Sequence, residues 1–70
     1  MKNKIRVYRS IKKVSQQVLS EKMGVSRQTM NSIENGKYLP SLLLGMKLSE
    51  YFECKVEELF EMEEEDWKSE

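Results

Sequence analysis

Apolar residues recur at helical intervals through most of the chain. Ile5, Tyr8 and Ile11 stand three apart and predict one stripe on a first helix, about residues 3–12. The segment KKVS interrupts it. Ser15 is a good N-cap for a second helix of about residues 16–23, buried through Leu19 and Met23. Val18 stands where the reciprocal acid of a capping box would be. Gly24 suits the left-handed position that closes a helix. Ser26 caps a third helix, about 27–34, with Val25, Met30 and Ile33 turned inward, and Asn35-Gly36 ends it. KYLPS reads as a loop. Pro40 is tolerated at or just before a first turn, so a fourth helix follows over about 41–52. Its expected core stripe is Leu42, Met46, Ser49 and Phe52, with Gly45 allowing close approach. After Cys54-Lys55, a fifth helix of about 56–61 buries Val56, Leu59 and Phe60. The remainder, EMEEEDWKSE, is acidic and aperiodic, and disorder is its expected state. No repeat, linker or strand pattern stands out. The division is therefore a helical domain over residues 1–60 and an acidic tail over residues 61–70.

Seventy residues make one domain. A chain of this size buries only roughly 60% of its unfolded surface, so a monomer has modest stability and association with a second copy would help. No apolar run approaches the roughly 20 residues needed to span a bilayer, and the N-terminus lacks the apolar core of a signal peptide, so no membrane is expected and a cytoplasmic location is. One cysteine and no histidine exclude an internal disulfide, make a zinc site implausible and remove the commonest general base. There are no paired acids on a pocket wall and no glycine-rich phosphate loop. The expectation is no catalysis, no metal and no cofactor. Cys54 reads as a small apolar side chain near a helix end.

The formal net charge of zero conceals a split. Residues 1–40 hold nine Lys/Arg against two acids, and residues 41–70 hold three Lys against ten acids, so the halves carry +7 and −7. This suggests a basic face for a polyanion and an acidic end held away from it. A helical protein with merely solvated charges would show the same totals.

Two short helices joined at Gly24 follow the helix-turn-helix plan. Small Ser20 lets the second helix approach the third, and Val25 fills the gap between them. On the third helix Arg27, Gln28, Asn31, Ser32 and Asn35 share the side opposite Met30 and Ile33. A solvated face usually favours Glu and Lys. This one offers groups suited to major-groove base edges: Arg can fork onto guanine O6 and N7, and Gln or Asn onto adenine N7 and N6. Ser32 can add a hydrogen bond, and Thr29 can meet a thymine methyl or a phosphate.

At these residues the chain resembles the phage-repressor helix-turn-helix domains, the Cro/cI-like or XRE family. The stretch LSEKMGVSRQTMNSIENGKYLPSLLLGMKLSEYFECKVEELF carries the likeness, with GVSRQT, IENGK and PSL its most specific parts, and the resemblance covers about residues 3–60. It implies an all-α, five-helix lambda-repressor-like DNA-binding domain, a homodimer on a near-palindromic operator, and transcription control. By the same likeness Arg27, Gln28 and Ser32 read bases. Gln16 grips a phosphate through its amide and the helix N-terminus. Thr29, Asn35 and Lys37, with backbone amides near Gly36, hold flanking phosphates. Arg9 and Glu34 occupy the places of a structural ion pair.

Three positions depart from the family pattern. Val18 replaces a usual acid, Gly45 replaces a usual Ala and should weaken its helix by up to about 1 kcal/mol, and Leu43 stands where a polar residue is usual. The segment LLLG offers apolar surface that reads either as a dimer contact, with the fifth-helix region the other candidate, or as plain surface leucine. Met62 and Trp67 either join that contact or are simply exposed. The leading function is a sequence-specific regulator, a repressor, bound to double-stranded DNA as a homodimer. The alternative is an antitoxin-type or partner-binding protein whose fourth-helix patch and acidic tail hold another protein.

Overall fold

A computed structural model describes residues 1–68; Ser69 and Glu70, the end of the expected acidic tail, lie outside the described residues. Five helices run in chain order: α1 (Ile5–Lys12), α2 (Gln16–Met23), α3 (Arg27–Glu34), α4 (Leu42–Phe52) and the single turn α5 (Val56–Leu59). Two short strands, β1 (Lys2–Asn3) and β2 (Phe60–Glu61), pair antiparallel with Lys2 opposite Glu61 and Asn3 opposite Phe60. A 3₁₀ turn spans Glu64–Trp67.

Serine starts three of the helices by one device. The Ser15, Ser26 and Ser41 hydroxyls accept from the N–H of Val18, Thr29 and Leu44 at 3.0, 3.0 and 3.1 Å. Each satisfies a donor that the first helical turn would otherwise leave without an intrahelical partner. Gly24 closes α2 with φ 75°, the left-handed cap expected of it. Lys13 and Glu53 take the same conformation with side chains attached, at φ 60° and 56°, which costs a non-glycine residue about 1–2 kcal/mol.

The core forms where α1, α2, α3 and α4 meet. Ile5, Leu19, Met30, Ile33, Leu48 and Leu59 are fully buried, with Met23, Leu44 and Phe52 around them. Burying each such side chain contributes about 1.5–3 kcal/mol. Tyr8 meets Phe52 with ring centroids 5.7 Å apart, and Tyr51 meets the same ring edge-on at 5.1 Å. Cys54 is half-buried beside them. Burial pushes its thiol up, more than the Tyr8 hydroxyl facing it pulls it down. It is therefore a protonated packing group.

Several expectations need correction. The α4 stripe is not Leu42, Met46 and Ser49: Leu42 and Met46 are 78% and 54% exposed, and Leu44, Gly45 and Leu48 join Phe52 inside. Three consecutive leucines satisfy the helical period on more than one face, and the packing partners decide which is buried. Ile11 is exposed, although it continues the three-residue spacing of Ile5 and Tyr8. Each such step falls about 60° short of a full turn, so two steps carry Ile11 well off the buried stripe. Helix α1 begins at Ile5 rather than at residue 3, because Lys2 and Asn3 are strand. Helix α5 ends at Leu59, leaving Phe60 extended in β2 and Val56 at the surface.

The strands escaped the sequence pattern because two residues are too few to show alternation. Asn3 fixes their position: its Oδ1 accepts from Ile5 N–H at 3.2 Å and its Nδ2 donates to Ile33 O at 2.9 Å, tying strand, α1 and α3 together. Lys4 N–H donates to Leu59 O at 2.8 Å beside the ladder. The disorder expected after residue 60 is replaced, up to Lys68, by β2 and the 3₁₀ turn, where Glu63 N–H donates to the Asp66 carboxylate at 2.7 Å. The Met1 amine lies 3.1 Å from Glu63 and 3.2 Å from Asp66.

Candidate nucleic-acid interface

Helix α3 is held from behind and bare in front. Met30 and Ile33 are buried, Ser20 is buried against it from α2, and Val25 packs at its entry. The Ser20 hydroxyl donates to Gln16 O at 2.7 Å, so this contact strands no polar group. On the opposite side Arg27, Gln28 and Asn31 are exposed, as are Asn35, Gly36 and Lys37 beyond the helix end; Ser32 and Thr29 are half-buried. The face read from the sequence thus stands clear of the fold.

Behind that face lies an ion pair. Arg9 donates from Nε to Glu34 Oε2 at 2.8 Å and from Nη2 to Oε1 at 3.0 Å, a two-pronged contact. Arg9 Nη1 also donates to Val14 O at 3.3 Å. The Glu34 side chain is wholly buried and that of Arg9 is 16% exposed. Arg9 and Glu34 therefore form the expected pair. Arg6, which the sequence reading counted only as charge, joins it: Nε lies 3.4 Å from Glu34 Oε1, and Nη2 donates to Asn35 Oδ1 at 3.1 Å. Its position three residues before Arg9, on the same side of α1, was the available signal.

Gln16 is committed within the protein. Its Nε2 donates to Asn31 Oδ1 at 3.2 Å and to Glu34 Oε1 at 3.3 Å, while its Oε1 accepts from Arg27 Nε at 3.3 Å. The backbone amides near Gly36 are occupied too. Asn35, Gly36 and Lys37 N–H donate to Asn31, Ile33 and Ser32 carbonyls at 3.0, 3.0 and 2.9 Å. Gly36 has φ 75°, so its evident contribution is the turn that ends α3. The Thr29 hydroxyl accepts from Ser26 Oγ at 2.9 Å.

Tyr38 is a residue the pattern did not single out. It is 56% exposed and, with Gln28, Thr29, Ser32 and Lys37, lines an open depression of about 350 Å³ beside α3. Its place directly after Lys37 was the signal.

The charge split does not map onto opposite sides as expected. Glu63 lines a shallow cleft with Met1, Glu34, Asn35 and Gly36, so part of the acidic segment sits beside the far end of α3 rather than away from it. The clasp through β1 and β2 brings it there.

A second surface is apolar. Leu39, Pro40, Leu42, Met46, Val56 and Phe60 line a groove of about 220 Å³ between the α3–α4 loop, α4 and α5. Among the described residues no cluster of metal-ligating side chains forms, and no helix is long and apolar enough to cross a membrane.

Two Ser-capped helices in a Gly24 turn, the second presenting a polar face on an apolar back, define a helix-turn-helix protein. The helix-turn-helix family model matches residues 5–59, and the chain belongs to this XRE-type family, whose members are DNA-binding transcription regulators rather than enzymes. It is 46% identical over 66 residues to an HTH-type transcriptional regulator of Methanocaldococcus jannaschii, covering 94% of this chain and 100% of that protein. It is 48% identical over 65 residues to the HTH-type transcriptional regulator YgzD of Bacillus subtilis, covering 93% and 98%. An HTH-type transcriptional regulator of Archaeoglobus fulgidus is 38% identical over 66 residues, covering 94% of each.

Proposed function

We propose that the chain is a sequence-specific repressor that binds a near-palindromic operator as a homodimer in the cytoplasm. The observation that carries this is the α3 face: Arg27, Gln28 and Asn31 project from a helix whose back is locked by Met30 and Ile33. In this reading Arg27, Gln28, Asn31 and Ser32 meet base edges in the major groove. Thr29, Asn35 and Lys37 meet phosphates, joined by Tyr38. Gln16 contributes to phosphate binding through the backbone N–H groups at the start of α2, because its side chain is already bonded. Gly36 shapes the flank. Residues 1–60 constitute the DNA-binding unit and residues 61–70 an acidic appendage, with β2 crossing that boundary.

Homodimerisation is supported by apolar surface that one copy leaves uncovered: Leu39, Leu42 and Leu43 are 60%, 78% and 69% exposed. Two copies would place their α3 helices in major grooves about 10–10.5 bp apart. Selection of bound sites from random duplexes, with sedimentation of the free protein, tests both parts. Equal affinity for selected and random DNA at matched salt would sink the sequence-specific reading, and a monomer at binding concentrations would sink the dimer.

A second reading, an antitoxin-type or partner-binding protein, draws on Trp67 and Met62, which are 75% and 50% exposed on the acidic segment. Trp67→Ala separates the two. It leaves DNA binding unchanged under either reading and abolishes capture of a protein partner only under the second.

A further inference from the structure

The hydrogen bonds behind the α3 face run in one direction, and the buried ion pair sets it. Glu34 is held by Arg9 at 2.8 and 3.0 Å and its carboxylate only accepts. Gln16, 3.3 Å away, must therefore turn its NH₂ toward Glu34 and its oxygen outward. The outward oxygen meets Arg27 Nε, which only donates. Reversing the Gln16 amide would set oxygen against oxygen at one end and donor against donor at the other. The second Gln16 N–H goes to Asn31 Oδ1, which leaves the Asn31 NH₂ as the group presented outward. Arg27, with Nε engaged, presents the end of its guanidinium. Arg27 and Asn31 lie four residues apart on one face, and both offer donors.

We propose that Gln16 is a positioning residue that holds Arg27 and Asn31 as donors, so that α3 reads an acceptor-rich base edge, guanine above all, at the two positions facing them. Guanine offers O6 and N7 together in the major groove, whereas adenine adds an N6 donor that an outward NH₂ cannot satisfy. This rests on the reading that α3 faces base edges, and it adds which bases are read and why. Gln28 and Ser32 take no part in the chain of bonds and are free to read other positions.

The test uses the full-length protein and duplexes selected from random DNA at fixed salt. The selected half-site is expected to carry guanine opposite Arg27 and Asn31. Replacing either guanine by adenine, or by 7-deazaguanine, which lacks the N7 acceptor, is expected to weaken binding about tenfold or more. Gln16→Met keeps the side-chain length without the amide, and Gln16→Ala removes both. In each, the ratio of affinities for the guanine site and its adenine counterpart is expected to fall below about threefold, beyond any loss common to all sequences and any drop in thermal midpoint that follows from taking a donor from buried Glu34. A merely structural Gln16 would weaken all sequences alike and leave that ratio at its wild-type value. Wild-type discrimination in both Gln16 variants, or selection of adenine at both positions by the natural protein, would overturn the proposal. Failure to select any sequence would instead remove the base-reading role of α3, and this inference with it.

Discussion

Helices α3 and α4 start alike and end up facing different partners. Each opens on a serine cap and buries an apolar stripe on the common core. The free side of α3 carries Arg27, Gln28 and Asn31, side chains that bond in directed ways. That of α4 and the loop before it carries Leu39, Leu42, Leu43 and Met46, which gain only by leaving water. The first face suits a surface with a donor and acceptor pattern, and the second suits another apolar surface. The support behind them differs as well. A buried ion pair and a glutamine orient the α3 side chains, whereas ordinary core packing holds α4.

The largest test of that contrast is the support of α3. Arg9→Ala removes the two-pronged partner of the buried Glu34 carboxylate and leaves it only the longer contacts to Arg6 and Gln16. It is expected to destabilise the fold by up to about 3–5 kcal/mol, a large part of the stability of so small a domain. Arg6→Ala removes a partner that is 63% exposed and should cost under about 1 kcal/mol. Urea denaturation of both variants measures the gap, and equal losses would show that the two-pronged Arg9 contact has no special weight.

On α4 the sharpest comparison is between two of its leucines, Leu48 in the core and Leu42 at the surface. Leu48→Ala is expected to cost about 2–5 kcal/mol and Leu42→Ala less than about 0.5 kcal/mol in the monomer. Leu42→Glu should leave the melting profile of the monomer in place and weaken self-association about tenfold or more in sedimentation. A Leu42→Glu protein that associates as before would detach the apolar face from dimerisation.

The α3 face divides in its turn. Arg27→Ala should lose about 1–3 kcal/mol on the selected site and much less on random DNA, while Lys37→Ala should weaken both alike and lower the salt slope by about one. Salt titrations on the two duplexes distinguish them.

Gly45 gives a smaller effect of opposite sign. A Cβ there would lie 3.8 Å from the Phe60 ring, an ordinary contact, so the close approach expected of this glycine is not required. Gly45→Ala should raise stability by about 0.5–1 kcal/mol, read from the denaturation midpoint.

The smallest effect concerns the acidic segment. The backbone N–H of Glu63 is the main cause holding the Asp66 carboxyl below its ordinary value. A depressed acid contributes stability above its unfolded pKa and loses it as pH falls through the folded one. Fluorescence of the neighbouring Trp67 is therefore expected to change on acidification from the ordinary aspartate range downward. Asp66→Asn should flatten that change, and an unaltered titration in the variant would assign it to other acids.

Much of this was legible in the residue order. Helices α2 and α3 fall where the pattern puts them because Ser15 and Ser26 mark their starts and Gly24 and Asn35-Gly36 their ends. The polar composition of the α3 face was equally plain. The bonds among its members were not, since Gln16 is eleven residues from Arg27 and fifteen from Asn31 and no local period connects them. The β1–β2 clasp joins residues at opposite ends of the chain through two-residue strands, too short to alternate visibly.

Local chemistry alone dictated where α2 and α3 begin and stop and which side of α3 is polar, whereas the meeting of Arg9 and Glu34, 25 residues apart, was implied only by the family resemblance. Capping and periodicity act within a few residues, so they are written in the order of side chains. Tertiary contact decided which leucines of α4 are buried, that the acidic segment folds back beside α3, and which way Gln16 turns its amide. Each of these is a choice between arrangements that are locally equivalent, and only a partner far away in the chain makes one lower in free energy than the other.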